Sequence, residues 1–143
     1  MSKPIWDAAG VNKALADSGY STVLGSPDPR ITTHSIPGVD GMAVGLHGVG
    51  PRTISGRGFL ADAADAAAAT AILNVKEDLR ELHALVGEGV YSFTDTDGKV
   101  YTYCVLLAVQ AVGPAVAHVE GATGYVGRIP VAFSILQQEA TDP

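Results

Sequence analysis

The sequence contains little of what disulfides, membrane spans and nucleic-acid-binding faces require. Cys104 is the single cysteine, so no disulfide can form within the chain, and its neighbours Tyr103 and Val105 predict a buried thiol rather than a reactive one. No apolar run approaches the roughly 18 residues that a membrane-spanning helix needs. Nine Lys and Arg residues stand against 15 Asp and Glu residues, and this formal charge of −6 disfavours a basic face for nucleic acid.

Charged residues of both signs are scarce, at 17% of the chain, while hydrophobic residues make up 47% and the mean hydropathy is +0.22. This apolar excess predicts surface that partner subunits cover. The length of 143 residues suits one domain over residues 1–143. Residues 1–7 lack the regions of a secretory signal peptide, which, with the single cysteine, predicts synthesis in a reducing cytoplasm.

One amphipathic helix is predicted over residues 62–86, with Asp62 as its N-cap and Gly87 just beyond its C-terminus. Its apolar stripe recurs at steps of three and four residues: Ile72, Val75, Leu79, Leu82 and Val86. Leu73 falls off this stripe. Residues 66–69 are all alanine, which permits close approach by a neighbour, although high helix propensity explains them equally well.

The rest of the chain is typical of β structure. Strands are predicted at residues 20–25, 30–36, 42–47, 52–60 and 128–137, and a hairpin at 90–94 and 99–112 around an Asp-Gly turn. Residues 1–28 are predicted to be an N-terminal arm or an extra strand, 114–127 a loop or irregular arm, and 138–143 a flexible tail. The predicted fold class is therefore mainly β with one long helix (α+β), an antiparallel sandwich or barrel flanked by that helix.

The second strand of the hairpin is apolar on both faces. Simple alternation places Tyr101, Tyr103, Val105, Leu107 and Val109 on one face, and Val100, Cys104, Leu106, Ala108 and Val112 on the other. Such a strand is covered on both sides, here by the helix or a second sheet and by a neighbouring subunit. We therefore predict an interface that contains Leu73, Tyr101, Tyr103, Val105 and Leu107.

Three short motifs have competing explanations. Residues 56–61, GRGFLA, match the dinucleotide-binding pattern G-x-G-x-x-A, but antiparallel hairpins precede them and no parallel strand ending in an acidic residue follows. His34 and His47 could bind zinc together with a carboxylate, but no third ligand has diagnostic spacing, and ordinary strand histidines explain them. Asp95 and Asp97 resemble the opening of a calcium loop, yet the remaining ligands are missing and a hairpin turn explains them.

Arg52 and Arg57 flank a predicted strand and could bind a carboxylate or phosphate, but a surface ion pair or a contact with an acidic neighbour explains them better. No Ser, Cys or Thr lies in a nucleophile motif. The sequence therefore predicts no catalytic residue, no cofactor and no metal site.

The order of strands, helix, hairpin and final strand resembles the tail-tube-like fold of bacteriophage tail and baseplate proteins. Residues 48–60, GVGPRTISGRGFL, look like the strand that precedes the helix in that group. Residues 82–87, LHALVG, followed by 91–101, YSFTDTDGKVY, are similar to its helix end and the strand pair around a D-x-D-G turn. The resemblance covers residues 30–112.

This resemblance implies assembly rather than catalysis. Members of the group form rings, usually sixfold, by edge-to-edge strand pairing and packed helices. We expect a structural protein of a phage tail or baseplate, made in the host cytoplasm and located in the virion. It would form a homo-oligomeric ring through residues 30–36, 99–112 and the helix flank near Leu73. It would also contact other tail proteins, without specific nucleic-acid binding.

Two alternatives remain open. The first is a small β-rich ligand- or metal-binding module or enzyme that uses His34, His47 and Arg52. The second is a tube protein of a contractile secretion or injection system, a class with the same kind of fold.

Overall fold

Strands account for most of the regular structure. The computed structural model describes residues 3–8, 11–27, 29–35, 42–62, 65–120 and 124–138. Within these residues the elements, in chain order, are β1 Ile5–Ala8, β2 Val11–Ala14, β3 Ser18–Leu24, β4 Pro29–Ser35, β5 Met42–Val49, β6 Arg52–Ala61, α1 Ala68–His83, β7 Tyr91–Thr94, β8 Val100–Ala111, β9 Val116–Glu120 and β10 Gly124–Gln137.

Eight strands form one antiparallel sheet in the order β2-β1-β7-β8-β10-β6-β3, with β9 paired to the first part of β10. The remaining strands, β4 and β5, form a separate two-stranded hairpin. The predicted fold class, mainly β with a single helix, is confirmed for the described residues, but the barrel is not closed.

The sheet curls so that its two end strands approach each other without pairing. Only three residues connect β2 to β3. They form backbone hydrogen bonds on both sides of the gap between these two strands. The backbone N–H of Leu15 donates to Pro4 O at 2.8 Å, and the N–H of Asp17 donates to Phe59 O at 2.8 Å. Towards the other end of β3, the Thr22 hydroxyl donates to the Asp95 carboxylate at 2.6 Å. The result is an open, barrel-like sheet.

The core lies between the concave side of this sheet and the helix. The helix buries Ala71, Val75, Leu79 and Leu82, and aromatic side chains from four strands fill the interior: Trp6, Phe93, Tyr101 and Phe133. Gly127 lets the helix approach β10, because a Cβ at this position would collide with the Ala71 carbonyl oxygen.

The helix is shorter at both ends than the predicted span of 62–86. Asp62 is not its N-cap: its N–H donates to Gly127 O, and Asp65 exchanges backbone hydrogen bonds with Tyr125, so this segment is held against β10. The helix therefore starts after Ala67, whose N–H donates to the Asp65 carboxylate at 3.0 Å. Gly87 does adopt a left-handed φ of +74°, in the turns that follow the helical end.

Strict alternation along β8 is also wrong. Tyr103 has a φ of +57°, and the register with β10 shifts between Ser134 and Ile135. Each irregularity moves the inward positions by one residue. As a result Tyr101, Cys104, Leu106 and Val109 all face the core, and the structure confirms the buried thiol.

The segment predicted to be a loop or irregular arm forms strands, and the N-terminal segment, predicted to be an arm or an extra strand, also forms strands. Residues 114–127 contain β9 and the beginning of β10, which pair with each other. The N-terminal residues form β1, β2 and β3, all within the main sheet, with β1 paired to β7. In the predicted tail, the N–H of Gln138 donates to Tyr103 O at 2.9 Å, and residues 139–143 lie outside the described residues.

Candidate functional site

The dinucleotide-like motif lies in the middle of a sheet. Gly56 and Gly58 belong to β6, between β3 and β10. A Cβ at Gly56 would run into the ring of Phe133, and one at Gly58 would lie 2.6 Å from the Ala16 side chain. Close packing therefore explains both glycines, and no phosphate-binding turn is present at this point.

The two histidines of the zinc alternative are not paired by the strand register. His34 pairs with Ala43, and His47 lies four positions further along β5, a separation of roughly 13 Å at about 3.3 Å per residue. Among the residues that the structure describes, no group of three or more His, Cys, Asp or Glu side chains is arranged to hold a metal ion.

The carboxylates of the calcium-like sequence stabilise a hairpin turn. Asp95 accepts hydrogen bonds from the Thr96 N–H at 2.7 Å and from the Thr22 hydroxyl, and Asp97 accepts one from the Lys99 N–H at 3.0 Å. Gly98 has a φ of +88°, which a turn of this kind requires. The hairpin interpretation of this segment is confirmed.

Arg52 and Arg57 lie on opposite faces of β6. The Arg52 side chain is 8% exposed, its Nε donates to Gln137 Oε1 at 2.8 Å, and its guanidinium lies 5.1 Å from the centre of the Tyr101 ring. Arg52 therefore fills one end of the barrel and is not available to a ligand. Arg57 points outward and is exposed.

An acidic cleft between α1 and strands β2 and β6 was missed by sequence reasoning. It has a volume of about 180 Å³, and its charged lining residues are Lys13, Asp17, Asp78 and Glu81. Lys13 pairs with Glu81 at 2.9 Å. One feature of the sequence could have indicated this cleft: Asp78 lies at the edge of the apolar helix stripe, four residues before Leu82.

Asp78 is the most perturbed ionisable group in the cleft. Burial, a hydrogen bond with Asp62, and the negative charges of Asp62, Glu81 and Asp17 raise its pKa from 3.8 to about 7. Asp17 is held by Lys3 at 3.1 Å and by the Ala61 N–H at 3.0 Å. The Asp78 carboxyl can therefore retain a proton near neutral pH, hydrogen-bonded to Asp62.

The predicted interface residues differ in how far the structure exposes them. Leu73 on the helix, Tyr103 and Leu107 are exposed by 49%, 56% and 46%. Leu107 borders a shallow groove with His83 and Val86, whereas Tyr103 lies nearer the start of β8.

Two of these residues fit the prediction less well. Val105 is half-buried, and Tyr101 is only 2% exposed. The irregularity at Tyr103 makes Tyr101 face the core while Leu107 faces outward. Tyr101 is therefore a core residue, and its inclusion in the predicted interface is corrected.

A second exposed apolar surface lies on the convex side of the sheet, away from the helix. Val23, Phe59 and Val112 are exposed there by 65%, 40% and 57%. Two adjoining grooves of about 250 Å³ each cross this side of β3, β6 and β10, and Arg57 lines both. We call this surface the outer groove. It consists of Ser21, Val23, Ser55, Arg57, Phe59, Val112, Pro130 and Ala132. Sequence reasoning missed it because its members come from distant segments.

Comparison of the chain with protein-family models, with curated proteins and with solved structures found no match. Among the described residues, no helix combines the length and apolar character needed to cross a membrane.

Proposed function

We propose that this protein is a structural component of a phage tail or baseplate and that it assembles as a homo-oligomeric ring. Two features support the proposal: the resemblance over residues 30–112, and large apolar side chains exposed on two separate surfaces. The observation that carries it is the second, since Leu73 on the helix and Val23, Phe59 and Val112 on the convex sheet side are all substantially exposed. Separate apolar surfaces of this kind suit a subunit with a neighbour on each side.

The proposal assigns no chemistry to the molecule. The buried Arg52, the Asp95 turn and the glycines of β6 all have structural roles. In this account the ring would lie in the virion and contact other tail proteins.

Light scattering after gel filtration tests the proposal across a range of protein concentrations. We expect a mass that is a multiple of 14.6 kDa and that rises with concentration to a fixed limit. A single 14.6 kDa species at every concentration would contradict self-assembly. Leu73→Ala removes exposed apolar area without touching the core, so it should shift the transition from monomer to oligomer to higher protein concentration. Val90→Ala is the control, because Val90 is exposed and lies outside both apolar surfaces.

A further inference from the structure

The outer groove is a positively charged surface in an acidic molecule. Strands β3, β6, β8 and β10 contain no Asp or Glu, although the whole chain carries a formal charge of −6. Arg57 lies between the two halves of the groove and is exposed. It has no ion-pair partner among the described residues. An apolar surface with one unpaired cation suits a partner that offers an apolar side chain beside a carboxylate.

One half of the outer groove is lined mainly by small side chains. Ser21, Ser55 and Ala132 line one half, next to Val23, and Phe59, Val112 and Pro130 line the other. Small residues between larger apolar ones let a helix approach the sheet closely.

The exposed flank of the helix has the complementary composition. At about 100° per residue, Ala69, Thr70 and Glu77 all lie within about 60° of Leu73 on the helix. Each of them is exposed. Glu77 has no ion-pair partner among the described residues. We call this surface the Leu73 flank.

The Leu73 flank and the outer groove lie on different sides of the molecule, since the helix packs against the concave side of the sheet. A contact between them must therefore join two copies. Two different surfaces that bind each other give a head-to-tail contact, which closes into a ring when the rotation between neighbours allows it.

We propose that the Leu73 flank of one copy binds the outer groove of the next, with Leu73 against Phe59 and Val112 and with Glu77 paired to Arg57. This inference rests on the proposed self-assembly and specifies its contact surfaces. The partner is a second copy of this chain because the same molecule supplies both the unpaired cation and the matching carboxylate.

Charge reversal with compensation tests the pair. Arg57→Glu and Glu77→Arg should each raise the protein concentration needed for assembly at least tenfold, because each places like charges in contact. The double variant, with both substitutions, should return this concentration to within about threefold of the unchanged protein. Sedimentation velocity measures the assembled fraction, and far-ultraviolet circular dichroism checks that these exposed substitutions leave the fold intact.

Arg128→Glu is the matched control, since it makes the same charge change on an exposed residue of β10 that lines neither half of the groove. Single variants that assemble like the unchanged protein, or a double variant as defective as the singles, would overturn the inference. In that case the unchanged protein would still assemble and the proposed function would stand. If the unchanged protein never assembles, both the proposed function and the proposed contact are wrong.

Discussion

At the scale of single residues, the informative positions are those that the amphipathic patterns do not explain. Asp78 lies beside the buried helix stripe, near Glu81 of the same helix, and it interacts with Asp62 and Asp17 from outside the helix. Its environment is acidic because Lys13 is already paired with Glu81. Arg52 is a comparable case, since its position in the sequence suggested a surface cation and its side chain is buried in the barrel.

The raised pKa of Asp78 predicts a pH dependence of stability. Between pH 3.8 and about 7 the folded protein holds a proton that the unfolded chain releases. The contribution of Asp78 to the free energy of unfolding is therefore fully present below pH 3.8 and is lost as the pH rises through 7. Asp78→Asn should remove this loss and should be more stable than the unchanged protein at pH 8 by about 1 kcal/mol, after allowance for solvent screening.

Urea unfolding at pH 5 and pH 8 checks this prediction. Glu88→Gln is a control, because Glu88 is exposed and lies outside the cleft. If Asp78→Asn and the unchanged protein lose equal stability between the two pH values, the raised pKa of Asp78 is wrong.

At the scale of elements, the sequence predicted the patterned parts well and the irregular parts poorly. The helix stripe and the Asp-Gly turn were predicted because regular spacing and a glycine with positive φ leave clear signals. The irregularity at Tyr103 left none, since a left-handed tyrosine inside an apolar strand looks like any strand residue. Its consequence was the misassignment of Tyr101 to the interface.

The conformation of Tyr103 predicts opposite effects of two substitutions. Its φ of +57° disfavours β-branched side chains, while glycine adopts it freely. We expect Tyr103→Val to lower the free energy of unfolding by about 1–2 kcal/mol relative to Tyr103→Gly. Thermal unfolding of both variants measures this difference. Equal stability, or a more stable valine variant, would show that β8 does not need the left-handed residue at this position.

At the scale of the whole molecule, the curl of the sheet is what gives the subunit two distinct sides. The concave side holds the core and the helix, and the convex side carries the outer groove. Sequence reasoning predicted one sheet-and-helix domain but could not place Val23, Phe59 and Val112 together, because their proximity depends on the strand order β8-β10-β6-β3.

The bond between Thr22 and Asp95 stabilises this curl. It joins β3 to the turn after β7 across the open side of the sheet. Asp95 is buried. Thr22→Val keeps the shape and removes the hydroxyl, so it should lower the free energy of unfolding by about 1.5–3 kcal/mol. Chemical denaturation measures the loss. Ser26→Ala, which removes an exposed hydroxyl with a contact of only 3.5 Å, should cost much less, and a comparable loss in both variants would contradict the role of Thr22.

The central claim is that this chain builds a ring from copies of itself. Electron microscopy of the purified protein, at a concentration where light scattering reports its largest species, tests it most directly. The account predicts closed rings of identical subunits, with the helix of each subunit against the convex sheet side of its neighbour. Fields that contain only separate particles of monomer size, at every concentration examined, would contradict it.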